Sequence, residues 1–345
     1  MTVRIGLGLF TGQIPPGSDR TFRQEYHDVV ELTRLAETLG FDSAWVSEHH
    51  GSSDAYLPSL LPMLAAMAAA TDRMQLGTGV LLVPFHHPLR LAEDAAVVDQ
   101  ISGGRLILGL GLGWREEEFR SFRIPFRERL GRTTETIEIL RRAWMGERFS
   151  HEGKIFGFDE VMVTPSPARS GGPPIYLGGH VEAAVRRAGR LADGYIRSRS
   201  GLDAAGEALS WAEEGARDAG RDPGELGFAL LQNAFVWDDD DKAWAVVREG
   251  VAHQLGVYPA WGAGADTPGR PFEIAPPDED TLRRATPAGD RHTVVRALRP
   301  IVDAFAGRDE FHLVVRLHYP GMDFDTAARA VELFGTDVLP ALKGS

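Results

Sequence analysis

Two adjacent histidines preceded by a glutamate are the residues of this 345-residue chain best suited to acid–base chemistry. They form the segment Glu48-His49-His50, which directly follows a short apolar run, Ser43–Ser47, that predicts a β-strand. An imidazole changes protonation near neutral pH, so a histidine at a strand end can move protons to or from a bound molecule. The alternative is a surface histidine pair without function.

The histidines do not have the spacing of a metal site. Neighbouring residues on a strand point to opposite sides, which separates His49 from His50, and neither His-x-His nor His-Glu-x-x-His occurs; the same holds for His86 and His87. The chain has no cysteine, which excludes disulfides, iron–sulfur clusters, thiolate zinc sites and cysteine nucleophiles. We therefore expect no metal, and chemistry that relies on histidines, carboxylates, hydroxyls or an organic cofactor.

Glycines near two other strand ends leave room for a flat ring and for a phosphate. The run Gly109–Gly113 fails the G-x-G-x-x-G spacing of dinucleotide-binding folds, because Trp114 stands where the last glycine is required. Small residues there instead let a planar ring or a neighbouring backbone approach closely. Gly178-Gly179-His180 leads into a predicted helix, whose N-terminal N–H groups can bind a phosphate; a plain glycine turn is the alternative.

Eight strand-like runs alternate with helical patterns, as in parallel βαβ units. The predicted strands are Val3–Phe10, Ser43–Ser47, Met74–Leu82, Leu106–Gly111, Ile175–Leu177, Gly194–Arg197, Leu226–Trp237 and His312–Leu317. The predicted helices are Phe22–Leu39, Leu57–Ala70, Pro88–Ile101, Thr133–Met145, Val181–Ala192, Ala204–Ala219, Lys242–Leu255, Thr293–Phe305 and a last one, Asp325–Leu339, ending at Pro340. Eight such units predict one α/β domain over residues 1–345, a (β/α)8 TIM barrel with its active site on the loops after the strands.

Two long stretches interrupt the alternation, Arg148–Pro174 and Gly256–Asp290. Long loops inside a compact domain usually cover functional sites, so both are predicted to be insertions that act as lids. The glycine-rich run from Gly262 to Gly269 has a disordered tether as its alternative.

The charge balance favours a small-molecule partner. The chain has 37 basic and 49 acidic residues and a formal charge of −12, which disfavours binding to nucleic acid or to anionic membranes. Its N-terminus has no signal-peptide pattern, and no stretch approaches the ~20 apolar residues of a membrane span. We expect a cytoplasmic protein.

Six segments, in order along most of the chain, resemble the bacterial luciferase-like flavin monooxygenase family. They are Gly40-Phe41-Asp42-Ser43-Ala44-Trp45-Val46-Ser47-Glu48-His49-His50, Leu76-Gly77-Thr78-Gly79-Val80, His87-Pro88, Leu91-Ala92-Glu93-Asp94, Asp99-Gln100-Ile101-Ser102-Gly103-Gly104-Arg105 and Pro174-Ile175-Tyr176-Leu177-Gly178-Gly179. The resemblance implies a barrel that holds flavin mononucleotide (FMN) or, in one branch, a deazaflavin, with the ring in the barrel mouth and the phosphate near the fifth strand. It also implies a homodimer, which is common among relatives.

The resemblance assigns roles to individual residues. His49 matches the family's catalytic histidine, and Gly79-Val80 matches a position where relatives have a non-proline cis peptide under the ring. Gly111 and Leu112 stand where luciferase has its reactive cysteine and the following arginine, so Arg132, or alternatively Arg129, is expected to be the cationic partner of the phosphate. The residues predicted to contact the cofactor are Phe10, Glu48, Thr78, Gly79, Val80, Gly111, Arg132, Gly178, Gly179 and His180.

These expectations favour a two-component monooxygenase. Reduced FMN, delivered by a separate flavin reductase, would react with oxygen, and His49 would stabilise or protonate the peroxide that oxygenates a small organic substrate. The first alternative is a deazaflavin-dependent dehydrogenase or reductase; the Glu-His-His segment favours the oxygenase, because hydride-transferring relatives more often have Asp-His. The second alternative is a flavin-binding protein without catalysis.

Overall fold

A computed structural model describes residues 3–198, 200–261 and 277–344 of the chain. Eight parallel strands form a closed barrel, in which the first strand pairs with the second and the eighth, and the third pairs with the fourth. The strands, first to eighth, are Arg4–Phe10, Ser43–Val46, Gln75–Thr78, Leu106–Gly111, Ile175–Gly178, Gly194–Ser198, Gly227–Asn233 and Phe311–Arg316. The prediction of a (β/α)8 barrel is confirmed.

The strands are buried on both sides, as expected of a parallel sheet covered by helices. One apolar cluster packs between the strands and the helices. A second cluster lies inside the barrel and includes Leu9, Trp45, Ile196 and Leu231. The barrel is therefore a packed core, and its carboxyl end is the part open to a ligand.

The helices follow the strands and cover the barrel. Those described are Phe22–Thr38, Leu60–Ala69, Pro88–Ser102, Glu116–Ser121, Arg129–Ala143, Glu182–Leu191, Leu202–Asp218, Asp240–Ala260, Glu279–Ala285, Arg291–Phe305, Phe324–Leu333 and Leu339–Lys343. Their ends follow local chemistry: Thr21 and Gln24 form a capping box at the start of the first helix. Pro88 begins the third helix, and Gly103 ends it in the left-handed conformation at φ 67°.

Three predicted elements differ from the structure by more than a shifted end. The predicted strand Met74–Leu82 is two pieces, Gln75–Thr78 and Leu81–Leu82, separated by Gly79 and Val80. The predicted strand Leu226–Trp237 breaks after Asn233, and Phe235–Val236 pairs instead with Ala288–Gly289. The last helix does not end at Pro340, because this proline lies in the first turn of Leu339–Lys343, where no backbone N–H is required.

The structure describes the whole of the first predicted insertion and part of the second. Arg148–Pro174 contains an antiparallel hairpin, Phe149–Glu152 with Gly157–Val161. The second insertion begins inside the helix Asp240–Ala260 and includes the helix Glu279–Ala285, whereas the run Gly262 to Gly269 lies outside the described residues. In the part of the chain that is described, no helix has the length and apolar character to span a membrane.

Candidate active site

A cavity of about 510 Å³ lies at the carboxyl end of the barrel, within the range of about 300–1,000 Å³ that ligand sites occupy. Residues at or just after most of the barrel strands form its wall. Eight of the eleven residues that the sequence predicts for the site line it: Glu48, His49, Gly79, Val80, Gly111, Gly178, Gly179 and His180.

The other three predicted residues do not line this cavity. Phe10 is buried in the core, with its ring 6.0 Å from that of His318. Thr78 is also buried, and its hydroxyl donates to the carbonyl of Gly109 at 2.6 Å. Phe10 belongs to the apolar cluster between strands and helices, and Thr78 bonds to the neighbouring strand, so neither side chain lines the mouth.

Arg132 is the third, and the structure places Arg129 in the cavity wall in its stead. The Nε atom of Arg132 donates to Glu128 at 3.1 Å, and its guanidinium lies over the ring of Phe156. The helix begins at Arg129, so Arg132 lies about 4.5 Å further along the helix axis. Arg129 is therefore the better-placed cation of the two alternatives.

Backbone and small side chains form one wall of the cavity. A Cβ atom on Gly111 would lie 2.4 Å from Cγ2 of Val80, and one on Gly179 would lie 3.0 Å from the Cβ of Ala184. The peptide Gly79–Val80 is cis, as is Gly8–Leu9. Side chains at Gly111 and Gly179 would collide with their neighbours or narrow the space, so the wall keeps room for a flat, apolar group such as a flavin ring.

His49 is buried next to a carboxylate. Its Nδ1 atom lies 3.0 Å from Oε1 of Glu118, whose side chain is also buried and belongs to the helix Glu116–Ser121. An ionised carboxylate only accepts hydrogen bonds, so toward such a carboxylate Nδ1 is the donor, and Nε2 is the ring nitrogen left for other contacts. Aromatic rings lie 4.9–6.1 Å from the His49 ring, those of Tyr56, Trp114, Tyr258 and Trp261.

A short chain of hydroxyls lies beside His49. Tyr56 donates to Ser47 Oγ at 3.1 Å, and its oxygen is 3.1 Å from the hydroxyl of Tyr258, which lines the cavity. Burial raises the pKa of Tyr56 well above its ordinary value, so this hydroxyl keeps its proton at neutral pH.

Glu48 is a buried carboxylate on the cavity wall with two histidine neighbours. Its Oε1 lies 2.7 Å from Nε2 of His50 and 3.5 Å from Nε2 of His86, and its Oε2 accepts from the backbone N–H of Leu82 at 3.1 Å. Burial by itself would raise the pKa of Glu48, but the contacts with the two histidines lower it below its ordinary value. Glu48 is therefore ionised at neutral pH. Across the described ranges, no group of three or more possible ligands is arranged to hold a metal ion.

The fifth strand ends at a site suited to an anion. Gly178, Gly179 and His180 lead to the helix Glu182–Leu191, whose N-cap residue, Val181, has no side-chain acceptor for the first N–H groups. The N-terminus of a helix attracts negative charge. Arg129, which lines the same cavity, adds a positive charge.

Sequence reasoning missed several residues of the site. Glu118 lies in the run Glu116–Glu118, which looks like a solvated acidic turn, and nothing local indicates that it packs on His49. Asn233 and Arg316 are the last residues of the seventh and eighth strands and line the cavity, so inspection of every strand end would have found them. Tyr258 and Gln254 come from the helix Asp240–Ala260, whose predicted end was Leu255.

Comparisons with known proteins agree on the family and differ in the activity that the similar proteins' names give. A family model described as luciferase-like monooxygenase matches residues 4–335. The F420-dependent glucose-6-phosphate dehydrogenase 1 of Rhodococcus jostii (strain RHA1) is 31% identical over 92% of this chain and 94% of its own. The structure of monooxygenase RslO1 from Streptomyces bottropensis matches with a TM-score of 0.83 and 27% identity, covering 98% of this chain and 99% of that one. The oxygenating constituent of 3,6-diketocamphane monooxygenase from Pseudomonas putida, in complex with FMN, matches with a TM-score of 0.79 and 25% identity, covering 99% and 98%.

Proposed function

This chain belongs to the luciferase-like monooxygenase family of oxidoreductases, and we propose that it uses a deazaflavin coenzyme of the F420 type to exchange hydride with a small organic alcohol or carbonyl compound. The observation that carries this proposal is the buried hydrogen bond between His49, on the cavity wall, and Glu118 behind it. The similarity to the Rhodococcus jostii dehydrogenase, whose name specifies F420, supports the choice of coenzyme.

The pair suits the proton half of an alcohol oxidation. When hydride leaves the carbon of an alcohol, the hydroxyl proton must leave as well, and a positioned base takes it. Glu118 holds the ring of His49 through Nδ1 and stabilises the positive charge that the imidazole gains on accepting that proton at Nε2. In the reverse direction, the same imidazolium donates the proton to a carbonyl oxygen.

The remaining cavity residues suit the coenzyme. Bound there, a deazaflavin supplies the hydride-accepting or hydride-donating carbon of its ring system. Gly79, Val80 and Gly111 would hold the flat ring, and the backbone at Gly179 and His180 would hold an anionic group with Arg129. The aromatic rings of Tyr56 and Trp261 give the surroundings of His49 an apolar surface for the carbon skeleton of a small substrate.

An FMN-dependent monooxygenase is the second candidate function. It is supported by the similarity to RslO1 and to the camphane monooxygenase constituent, the second of which is in complex with FMN. That reaction would require reduced FMN from a separate flavin reductase, and His49 would then act as a hydrogen-bond donor to a reactive oxygen. The carboxylate on Nδ1 favours the base role, because it stabilises the charged imidazole that a base becomes.

One experiment separates the two candidates. The purified protein is titrated anaerobically with F420, FMN and reduced FMN by absorbance, and then supplied with a panel of small alcohols and oxidised F420. We expect tight binding of F420 and loss of its oxidised absorbance with at least one alcohol. Binding of reduced FMN alone, with an oxygenated product formed from a panel compound once air is admitted, would assign the protein to the monooxygenases. Binding of either without turnover, despite the His49–Glu118 pair, would favour a flavin carrier.

A further inference from the structure

A second acid–base cluster lies beside the pair of His49 and Glu118. It consists of Glu48, His50 and His86, which we call the Glu48 cluster. None of the steps assigned to His49 and Glu118 uses it. Its carboxylate lines the cavity and is fully buried, whereas its two histidines lie progressively nearer to solvent, with side chains 15% exposed at His50 and 31% exposed at His86.

His86 connects the buried carboxylate to the outside of the protein. Its Nε2 atom is buried and lies 3.5 Å from Oε1 of Glu48, although the side chain as a whole is partly exposed. One ring nitrogen therefore faces the carboxylate, and part of the same side chain is exposed to solvent. The 3.5 Å separation is slightly longer than a normal hydrogen bond.

His50 and the aromatic residues beside it enclose the path. The Nε2 atom of His50 lies 2.7 Å from the same oxygen of Glu48. Its ring packs edge-on against Phe85 at 5.4 Å and Phe122 at 4.8 Å, and these two phenyl rings stack on each other at 4.8 Å. The phenyl rings cannot accept or donate protons. On this side of Glu48 the groups that can accept a proton from it are therefore the imidazoles of His50 and His86.

We propose that the Glu48 cluster is the proton path between the cavity and bulk water. This proposal rests on the function proposed above. The Glu48 cluster receives the proton that His49 has accepted from the substrate's hydroxyl group. Water in the cavity carries the proton from His49 to the carboxylate of Glu48. Once protonated, Glu48 donates instead of accepting, so the neutral tautomer of His86 that is unprotonated at Nε2 takes the proton there. Its Nδ1 then releases a proton to solvent, which leaves the imidazole neutral. The steps run in the reverse order when a carbonyl compound is reduced.

The composition of the cluster fits this role better than a structural one. A carboxylate needed only to hold the loop at Leu82 would require its Oε2 atom alone. Glu48 is instead ionised while buried, and one of its oxygens contacts two imidazoles. An imidazole can accept a proton at one ring nitrogen and release one from the other. His87, the next residue after His86, packs against Phe156 and Phe158 and pairs with no carboxylate of the described residues, which makes it a matched control.

The test compares the wild-type chain with H86A and H87A, each with bound F420 and an alcohol substrate in weak buffer containing a pH-indicator dye. A stopped-flow instrument records the coenzyme absorbance and the dye separately. In H86A we expect the first hydride transfer to keep its rate, whereas proton appearance and multiple turnover fall by about 100-fold. Added imidazole should restore both, and H87A should behave as wild type.

The outcomes are separable. A wild-type protein that shows no coenzyme reduction contradicts the proposed function. Normal coenzyme reduction together with undelayed proton appearance in H86A contradicts the relay alone. A delay that imidazole does not relieve, with an early melting transition, assigns His86 to the structure and also overturns the proposal. E48Q provides a second variant. We expect proton appearance to be delayed in it even when imidazole is added, because the missing proton carrier is the buried carboxylate and not the partly exposed histidine.

Discussion

The Oε1 atom of Glu118 lies 3.0 Å from Nδ1 of His49 and 2.8 Å from the backbone nitrogen of His50. One carboxylate oxygen therefore fixes both the ring of the first histidine and the backbone of the second. The other oxygen, Oε2, is buried and makes no hydrogen bond to the described residues. The hydrogen bonds of this carboxylate are therefore those that Oε1 makes to His49 and His50. The pair is arranged to stabilise a charged imidazole.

Replacing Glu118 by glutamine tests that charge. The amide oxygen can still accept a hydrogen bond from Nδ1 of His49, but without a negative charge it no longer stabilises an imidazolium. We therefore expect the turnover rate of E118Q to be at least about 100-fold lower than that of wild type. The dissociation constant of the coenzyme should be unchanged, because Glu118 does not line the cavity. Steady-state rates and an anaerobic absorbance titration measure the two quantities. Normal turnover in E118Q would show that the carboxylate has only a structural role.

Removing the imidazole itself should have the largest effect on the chemistry. H49A should lower turnover by roughly 10²–10⁴-fold, the usual range for a general acid–base group, with a much smaller change in coenzyme affinity. If His49 has only a structural role, through its contacts with the neighbouring aromatic rings, the result should be the reverse. The variant would then melt at a lower temperature, and its turnover per folded molecule would be preserved. Rates and melting curves of the same variant separate the two roles.

Two arginines one helical turn apart give a matched test of the anion site. R129A should weaken coenzyme binding by about 1–3 kcal/mol, the range for the loss of a charged hydrogen-bond partner. R132A should leave it unchanged, because this side chain pairs with Glu128 outside the cavity. Isothermal titration of both variants measures the difference. Equal losses in the two, or a loss in R132A alone, would contradict the placement of the phosphate near Arg129.

The barrel strands were predictable because their signals are local. Leu106–Gly111 is a short apolar run between Gly-Gly-Arg and Leu-Gly-Trp, and its observed bounds are those predicted. The end of the second strand was equally clear, so the sequence alone assigned Glu48 and His49 to the barrel mouth. In such a barrel, the position of a residue after a strand determines the face on which it lies.

The partners of those residues were not predictable, because they depend on contacts distant in sequence. Glu118 is 69 residues from His49, and local pattern does not indicate which acidic side chain of an acidic run turns inwards. The choice between Arg129 and Arg132 depended on where a helix begins, and the structure has it at Arg129, well before the predicted start at Thr133.

A buried ion cluster near the end of the first barrel strand makes stability depend on pH in two opposite ways. The Nε2 atom of His318 lies 3.7 Å from Oε1 of Glu25, which also pairs with Arg20 at 3.1 Å. Burial raises the pKa of Glu25 to about 7, although Arg20 lowers it in part. Burial, together with the charges of Arg20 and Arg316, lowers the pKa of His318 to about 4. Asp28, beside Arg20, completes the charges of this cluster.

Variants of Glu25 and His318 should therefore change the pH dependence of the unfolding free energy with opposite signs. The pKa of Glu25 is raised on folding, so its contribution is present below pH 4.5 and is lost as the pH rises to about 7; E25Q should gain stability relative to wild type over that interval. The pKa of His318 is lowered on folding, so its contribution is present above pH 6.5 and is lost as the pH falls to about 4; H318N should gain relative to wild type on acidification. Urea denaturation at several pH values measures the unfolding free energy of each variant relative to wild type. If these differences do not change with pH, or change in the same direction for both variants, this account of the cluster is wrong. A substitution that only loosens the core would lower the unfolding free energy by the same amount at every pH.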